Sequence, residues 1–252
     1  MTAAGTRPAG AGDELAAARQ VRNMFSRIAP RYDLLNHLLS LRFDVRWRRR
    51  VARRFRDVLT NPQARALDLC CGTADLALSL AAEAKTAGGS PGARVIGADF
   101  AHPMLVYAQE KIARRAAVIP LVEADGLSLP FVGESFDLVT IAFGFRNLAN
   151  YMAGLAELRR VLRPGGSVAI LEFAEPEGAL FASLFRFYFR RVLPRIGGIV
   201  SGSFQAYGYL PESVARFPRP AALAEFMQHA GFAGVKFDLW TGGIVALHTG
   251  RR

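Results

Sequence analysis

Residues 66–78 read ALDLCCGTADLAL, the pattern of a short buried strand, a tight turn of small residues and the start of a helix. Gly72 and the short side chains of Cys70, Thr73 and Ala74 let the backbone approach a ligand closely at the helix N-terminus. The turn lacks glycine at positions 70 and 74. Taken alone, it therefore fits a ligand-binding loop and a purely structural turn equally well.

The alternation of strands and helices continues after this turn. Strands are predicted at Ala66–Leu69, Arg94–Ala98, Val118–Val122, Asp137–Phe143 and Ser167–Phe173, and the helices between them at Asp75–Lys85, Pro103–Arg115 and Tyr151–Leu162. Repeated strand–helix units predict a parallel sheet with helices on both faces.

The last part of the chain breaks this rhythm. A helix at Ala221–Ala230 is followed by two strands, Val235–Trp240 and Ile244–His248, which only three residues separate. Such a short connection predicts an antiparallel hairpin. A mostly parallel, Rossmann-like α/β sheet that ends in an antiparallel hairpin is the profile of a class I methyltransferase.

Length and composition limit the class of protein. The 252 residues fit one domain, and 51% hydrophobic with 21% charged residues can bury a core, which excludes a mostly disordered or collagen-like chain. No apolar run reaches the roughly 20 residues that span a bilayer. The two cysteines are adjacent, and the first residues lack a hydrophobic signal core. These features predict a cytoplasmic protein.

The domain organisation follows from composition. Residues 1–18 are rich in Ala and Gly and are predicted to be a disordered tail, and residues 19–252 form a single methyltransferase domain. Within it, residues 19–62 are predicted to form a helical lid, and residues 176–218 a helical insert before the last two strands.

Positive charge is concentrated in two segments. The net charge is +11, and the stretch FDVRWRRRVARRFRDVL at 43–59 carries many of the arginines. Leu180–Val200 combines an apolar stripe with flanking arginines. Both segments suit the anionic inner face of the cell membrane, or for the second the mouth of a prenyl-tail tunnel. A core-packed helix with a solvated basic edge is an equal alternative for the second segment.

Acidic residues follow the next two strands. Asp99 closes the second strand, 27 positions after Gly72, where this fold places a carboxylate for ribose hydroxyls, and Asp125 follows the third strand. A negative field favours a cationic sulfonium and repels a pyrophosphate. The pattern therefore predicts S-adenosylmethionine rather than NAD, although strand-end caps would also place acids here.

Six stretches, in order along nearly the whole chain, carry a more specific similarity. The first and the fourth look like the two diagnostic signatures of one family. Together the six resemble the ubiquinone/menaquinone biosynthesis C-methyltransferase family, and they read YDLLNHLLSLRFDVRW (32–47), LDLCCGTADLA (67–77), FDLVTIAFGFRNL (136–148), RVLRPGGSVAILEF (160–173), YGYLPESVARFP (207–218) and GFAGVKFDLWTGGIVALHTG (231–250).

The resemblance implies transfer of a methyl group from S-adenosylmethionine to a ring carbon of a prenylated quinol, with demethylmenaquinol becoming menaquinol. The implied cofactor contacts are Thr73, Asp99, Asp125, Gly126 and Ala142, to which we add Gly72 in the turn and Asp68 in the preceding strand. Ala142 stands where Ser is common, so only its backbone can serve.

The resemblance also implies the residues at the reacting ring. Arg146 and Asn147 match an Arg-Asn pair of the family's active site, where a guanidinium stabilises a developing phenolate and the amide orients the oxygen. Structural pairing of Arg146 with a nearby acid is the alternative. Asp44 stands where His is common, which puts an acid–base role at that position in doubt.

The lid and the metal content complete the predicted site. Tyr32, Asp33 and Asn36 on the lid are expected to close over the cofactor, with ordinary capping and packing of the lid helix as the alternative. The four histidines are scattered, so no metal is expected.

Several functions stay open at this point. A benzoquinol, a phytyl-naphthoquinol or another phenolic small molecule would suit the same scaffold. A nucleic-acid amino-methyltransferase would carry an Asn/Asp-Pro-Pro-aromatic motif where this chain reads IAFGFRN, so no nucleic-acid partner is expected. A basic membrane- or RNA-binding module without activity would have little need for the strand-end features. Tail length and homo-oligomer formation are open.

Overall fold

The computed structural model describes residues 5–8, 10–85, 92–176 and 204–252, with the single positions 183, 187 and 191. Within these residues, seven strands form one sheet. They are β1 (Arg65–Leu69), β2 (Arg94–Asp99), β3 (Leu121–Glu123), β4 (Phe136–Ala142), β5 (Leu162–Phe173), β6 (Ala233–Trp240) and β7 (Val245–Arg251).

The order across the sheet is β3-β2-β1-β4-β5-β7-β6. Neighbouring strands from β3 to β5 are parallel, whereas β7 pairs antiparallel with both β5 and β6. The predicted parallel sheet with a terminal antiparallel hairpin is therefore confirmed. The chain reverses its direction of winding between β1 and β4, and this is the point at which open α/β sheets bind ligands.

Besides two short 3-10 helices at Ala29–Arg31 and Phe145–Asn147, nine α-helices with bounds inside the described residues surround the sheet. They are α1 (Glu14–Ile28), α2 (Tyr32–Leu39), α3 (Phe43–Arg54), α4 (Arg56–Leu59), α5 (Asp75–Lys85), α6 (His102–Arg114), α7 (Tyr151–Val161), α8 (Phe204–Arg216) and α9 (Pro220–His229).

Alternate residues of the central strands enter two apolar layers. In β4, Leu138 packs in the layer with α3, α5 and α6, whereas Val139 packs in the layer with α7 and α9. In β5, Ala169 and Val168 divide in the same way. The period of two places consecutive side chains on opposite faces. Both faces are thereby covered, as a parallel sheet requires.

Some predicted boundaries differ from the structure. The third strand was predicted at Val118–Val122, but β3 is Leu121–Glu123, because Pro120 has no N–H to donate and Val118 is 88% exposed. The fifth strand begins at Leu162 rather than Ser167, since Leu162 already pairs with Phe136 ahead of an irregularity in the ladder.

The amino-terminal segment also differs from the prediction of a disordered tail at 1–18. Helix α1 begins at Glu14, where the Asp13 side chain accepts a hydrogen bond from the Ala16 N–H at 2.7 Å and so caps the helix. Residues 5–8 lie against the loop after β4, where the Thr6 N–H donates to the Leu148 carbonyl at 2.8 Å. Ala-rich composition suits a helix as well as a tail.

The predicted lid and insert are described to different extents. Helices α1 to α4 occupy most of residues 19–62, and α8 lies in the predicted insert 176–218. The basic apolar stretch Leu180–Val200, apart from three isolated positions, lies outside the described residues. Among the described residues, no helix is long and apolar enough to cross a bilayer.

Candidate active site

A cleft opens at the carboxyl edge of the sheet, beside the switch between β1 and β4. The space enclosed by its walls, together with the open solvent at its mouth, amounts to about 670 Å³. Helices α1 and α2 contribute Phe25 and Tyr32 to its wall. Five of the predicted residues line it, namely Gly72, Asp99, Asp125, Gly126 and Asn147, together with the lid residue Tyr32.

The turn after β1 has left-handed backbone at every second residue. Cys70, Gly72 and Ala74 all have left-handed backbone, with φ of +54°, +54° and +68°. For residues with a side chain, this conformation is less stable by roughly 1–2 kcal/mol. The turn is held by the Ala74 N–H, which donates to the Cys71 carbonyl at 2.8 Å. Positions 70 and 74, where the sequence lacks the expected glycines, therefore still adopt the glycine conformation.

Asp99 joins the turn to the end of β2. Its carboxylate accepts hydrogen bonds from the N–H groups of Gly72 and Ala101, both at 2.9 Å. Burial raises the pKa of Asp99, and these backbone donors partly offset that effect. A carboxylate has about four acceptor positions, so the backbone donors of Gly72, Phe100 and Ala101 still leave capacity for a ligand in the cleft.

Asp125 and Gly126 lie across the cleft. The exposed Asp125 carboxylate accepts a hydrogen bond from the Leu127 N–H at 2.9 Å. A Cβ at position 126 would lie 2.9 Å from Leu148 Cδ2, so the backbone here is close to the neighbouring loop. A side chain at position 126 would force the wall to move.

A smaller recess adjoins the cleft and shares Tyr32, Cys70 and Gly72 with it. Its lining includes three predicted cofactor residues, Asp68, Thr73 and Ala142, and one residue that the sequence analysis missed, Arg48. Arg48 belongs to the arginine-rich helix α3, and no local signal separates it from its solvated neighbours.

Asp68 is the most unusual group in the recess. It is 1% exposed, and one carboxylate oxygen accepts from the Thr140 hydroxyl at 2.9 Å. Its other oxygen, Oδ2, has no hydrogen-bond partner among the described residues. Burial raises the pKa of Asp68 to about 7. A buried, unpaired acceptor of this kind fits a cationic ligand group.

The lid helix α2 is tied to the turn by polar contacts. The Thr73 hydroxyl donates to Asp33, and Lys111 forms ion pairs with Asp33 and, at 2.8 Å, with Asp75. The Tyr32 ring covers the turn, since a Cβ on Gly72 would lie 3.7 Å from Tyr32 Cε1.

The remaining lid residue, Asn36, has a different position. It hydrogen-bonds to Tyr32 and does not line the cleft. Burial raises the pKa of Tyr32 above its ordinary value, so the phenol stays neutral near pH 7. Asn36 thus contacts the cleft through Tyr32.

Asp44 is the centre of a buried polar cluster. It accepts hydrogen bonds from Ser40 at 2.6 Å and Arg48 at 2.5 Å, and it contacts His37 Nδ1 at 2.8 Å. Burial raises its pKa, but the His37 hydrogen bond and the Arg48 charge outweigh burial and hold the pKa well below the usual range. Asp44 is therefore ionised at neutral pH and structural, which agrees with the doubt about acid–base chemistry here.

The same cluster brings three residues of metal-binding types together. Donor atoms of His37, Asp44 and Asp75 lie within 4.8 Å of one another, although the histidines are scattered in the sequence. Arg48 lies 2.5 Å from Asp44, and Lys111 lies 2.8 Å from Asp75. Because these cations already neutralise the carboxylates, the cluster is an ion-pair network.

Arg146 is paired with an acid, as the alternative interpretation supposed. Its Nη1 donates to Glu172 at 2.9 Å and to the Phe143 carbonyl at 2.5 Å, and its backbone N–H donates to Glu172 at 3.1 Å. Burial lowers the pKa of Arg146, but the charge and hydrogen bond of Glu172, together with the effects of Tyr32 and Tyr209, outweigh burial and raise this pKa. The guanidinium does not line the cleft, and its Nε–H has no partner among the described residues.

Glu172 was missed because its partner lies 26 residues away. It is 1% exposed near the end of β5, beside the loop that follows β4. The available signal was an acid inside the apolar run AILEF at 169–173, where an unpaired charge would be costly.

Asn147 reaches the cleft that Arg146 does not. Its side chain is 9% exposed, and its Oδ1 accepts a hydrogen bond from the Tyr209 hydroxyl of α8 at 3.0 Å. The loop after β4 therefore presents an amide to the cleft and a guanidinium behind it.

Comparison with known proteins agrees with this architecture. The sequence profile of the ubiE/COQ5 methyltransferase family matches residues 13–252. A demethylmenaquinone methyltransferase of Thermus thermophilus is 53% identical over 230 residues, covering 91% of this chain and 100% of that protein. The protein of the same name from Deinococcus radiodurans is 45% identical and covers 95% of each chain.

Solved structures of low sequence identity have the same fold. A methyltransferase of Thermotoga maritima, named as a possible histamine N-methyltransferase, has a TM-score of 0.60 at 16% identity over 91% of this chain and 98% of its own. A SAM-dependent methyltransferase of Aquifex aeolicus has a TM-score of 0.55 at 16% identity over 79% of this chain and 87% of its own. The predicted class I methyltransferase fold is thereby confirmed.

Proposed function

Because the chain belongs to the ubiE/COQ5 methyltransferase family, we propose that it transfers a methyl group from S-adenosylmethionine to a ring carbon of a prenylated quinol. The acceptor is demethylmenaquinol and the product menaquinol, as the names of the Thermus and Deinococcus relatives suggest. The match extends over nearly the full length of both relatives, and therefore over their whole catalytic domains.

The charge of the cleft is the observation that carries this proposal. Among the described residues that line it, Asp99 and Asp125 are acidic and none is Lys or Arg. The negative field stabilises a bound sulfonium cation, whereas it would weaken the binding of a pyrophosphate. The smaller recess adds Asp68, with its unpaired carboxylate oxygen, and Asp75, against one cation, Arg48.

We assign the cofactor residues by the chemistry that each offers. Asp99 accepts ribose hydroxyls with its remaining acceptor positions, and Asp125 with the close-packed Gly126 forms the opposite wall. Gly72, Thr73 and the backbone of Ala142 line the turn side. Asp68 faces the ammonium group of the donor and thereby completes its buried hydrogen bonding.

The residues after β4 act on the acceptor ring. When bound, S-adenosylmethionine supplies the methyl group as an electrophile. The amide of Asn147 donates a hydrogen bond to the acceptor's hydroxyl oxygen, which favours the phenolate form and makes the ring carbon nucleophilic. Arg146, paired with Glu172 behind the cleft, positions the loop that carries Asn147. Methyl transfer breaks the S–CH3 bond and leaves the donor as a neutral thioether, and the methylated ring carbon then gives its proton to water, which restores the aromatic ring.

The helical lid holds the reactants together. Tyr32 covers the turn, and Asp33 binds Thr73 and Lys111, so closure of α2 joins three elements of the cofactor site. Fixing the methyl donor beside the ring carbon is a large part of the rate enhancement, since effective molarity can supply roughly 7–11 kcal/mol. Asn36 supports this closure through Tyr32.

A peripheral contact with anionic membrane is proposed for α3. Five arginines of this helix are exposed, namely Arg46, Arg49, Arg50, Arg53 and Arg54. Each basic side chain near an anionic surface contributes about 1 kcal/mol. Sedimentation with anionic vesicles, released by salt, is the expected result, and equal recovery with and without vesicles would remove the contact but leave the enzyme activity intact.

The activity is tested with labelled S-adenosylmethionine and a panel of short-tailed demethylated quinols. We expect label on a ring carbon of the naphthoquinol, identified by product mass and fragmentation. Preferred methylation of a benzoquinol or a simple phenol would redirect the acceptor assignment. Failure of folded protein to bind the donor in calorimetry would end the proposal.

A further inference from the structure

The amide of Asn147 is held by a chain of two hydrogen bonds that begins at the amino terminus. Thr6 Oγ1 lies 2.8 Å from the Tyr209 hydroxyl, and that hydroxyl donates to Asn147 Oδ1 at 3.0 Å. A phenol has one proton. Since Tyr209 donates its proton to Asn147, the Thr6 hydroxyl must donate to Tyr209.

This direction of donation fixes which end of the amide is available. Oδ1 of Asn147 is engaged by Tyr209, so the Nδ2–H₂ group is the end left for the cleft. Without the hydrogen bond from Tyr209, the amide could rotate by about half a turn. Its own oxygen would then face the hydroxyl oxygen of the quinol, to which it cannot donate. Burial also raises the pKa of Tyr209, so it keeps the donating proton near neutral pH.

The segment that carries Thr6 is firmly seated. The Thr6 N–H donates to the Leu148 carbonyl at 2.8 Å, and Arg7 Nη1 donates to the Ala149 carbonyl at 2.7 Å. Arg216 of α8 donates to the Arg7 carbonyl at 2.7 Å. Thr6 itself is 7% exposed. Residues 5–8 thus connect the loop after β4 with α8.

Gly5 shows how closely segment 5–8 packs against the loop after β4. A Cβ at position 5 would overlap the backbone carbonyl of Ala149, so only glycine allows the approach. The contact is with backbone, which cannot move aside as a flexible side chain would.

We propose that Tyr209 is a positioning residue for methyl transfer, and that Thr6 in the seated segment 5–8 orients it so that Asn147 presents its amide donor to the acceptor oxygen. The inference rests on the proposed role of Asn147. It assigns a function to the stretch YGYLPESVARFP at 207–218 and to part of the predicted tail.

The test is a double-mutant cycle between Tyr209→Phe and Asn147→Ala, with kcat for a short-tailed demethylmenaquinol and Kd for S-adenosylmethionine as readouts. We expect Tyr209→Phe to lower kcat about tenfold and Thr6→Val about threefold, with Kd within about twofold, because a hydrogen bond that acts on an oriented group contributes on this order. In the Asn147→Ala background, Tyr209→Phe should change kcat by less than about twofold.

The control is Ser213→Ala, one turn along α8, where the hydroxyl donates only within its own helix to the Leu210 carbonyl. Its kcat should match the parent, and circular dichroism shows that each variant is folded. Equal losses from Tyr209→Phe in both backgrounds, or no loss in the parent, would overturn the inference. Full activity of Asn147→Ala would instead remove the proposed role of Asn147, and absence of any methyl transfer by the parent would remove the proposed function.

Discussion

The two sides of the cleft are assembled from different kinds of contact. On the cofactor side, the ends of β1, β2 and β3, carboxylates bind backbone N–H groups of adjacent turns, as Asp99 and Asp125 do. On the acceptor side, which is the loop after β4, the end of β5, α8 and residues 5–8, the contacts join distant segments. Thr6 and Tyr209 are 203 residues apart.

The difference has an energetic consequence. A carboxylate that binds backbone amides keeps its charge available for a ligand, because the amides belong to the strand ends themselves. A buried ion pair such as Arg146 with Glu172 neutralises its own charge and acts through what it positions. The cofactor side should therefore govern binding, and the acceptor side should govern turnover and stability.

The largest effect is expected from Glu172→Ala. The change leaves the buried Arg146 guanidinium without its partner, and we expect the free energy of unfolding to fall by about 3–5 kcal/mol, measured by urea denaturation. The control is Glu110→Ala, which removes the exposed pair with Arg114 on α6 and should cost less than about 1 kcal/mol. Similar losses in the two variants would contradict the distinction.

Next in size is the effect of Asp99→Asn on cofactor binding. Hydrogen bonds to a charged group contribute about 1.5–3 kcal/mol, so Kd for S-adenosylmethionine should rise about 10- to 100-fold, while kcat at saturating donor changes little. Calorimetry and initial rates provide the two measurements. Asp125→Asn, at an exposed position, should raise Kd less than about tenfold. A larger increase in Kd for Asp125→Asn than for Asp99→Asn would refute the idea that the buried carboxylate contributes more to binding.

A pH dependence should identify Asp68 as part of the cofactor side. The free carboxyl has a pKa of about 7 because it is buried, and a bound cation favours its ionised form. Donor affinity should therefore rise about tenfold between pH 6 and pH 8, with proton release on binding. Calorimetry in buffers of different ionisation enthalpy measures this release. Asp68→Asn should flatten the profile, and an unchanged profile would exclude Asp68.

The smallest effect concerns the lid. The hydrogen bond with Asp44 raises the pKa of His37 above its unfolded value near 6.5. Its contribution to stability is then complete below about pH 6.5 and is lost as the pH rises through the folded-state pKa. We expect the free energy of unfolding to fall between pH 6 and pH 8 in the parent relative to His37→Gln, a comparison that also cancels the parallel contribution of Asp68. Identical curves of stability against pH for the parent and His37→Gln would rule out a contribution from His37.

The convergence of residues on the proposed cofactor side could be predicted because its signals are local. A strand that ends in small or acidic residues can be read within a few positions, and the topology then brings Gly72, Asp99 and Asp125 to one edge. The family resemblance, confirmed by the profile match, added Gly126 at the same edge and Asn147 on the neighbouring loop.

The acceptor side could not be predicted because its contacts depend on tertiary packing. Nothing near Arg146 in the sequence indicates Glu172, and nothing near Asn147 indicates Tyr209. Gly5 and Thr6 lie in an Ala- and Gly-rich stretch, and composition alone does not distinguish a glycine that permits close approach from one in a flexible tail.

The strand order has a consequence for synthesis and quality control. Because β7 lies between β5 and β6, the long edge of β5 has no permanent neighbour until residues 245–251 have been translated. An incomplete chain would expose a row of unpaired backbone N–H and C=O groups from Ala169 to Phe173, which is a ready template for pairing between nascent chains. Premature stops shortly before residue 245 should therefore yield aggregates or degraded fragments rather than enzymes of reduced activity.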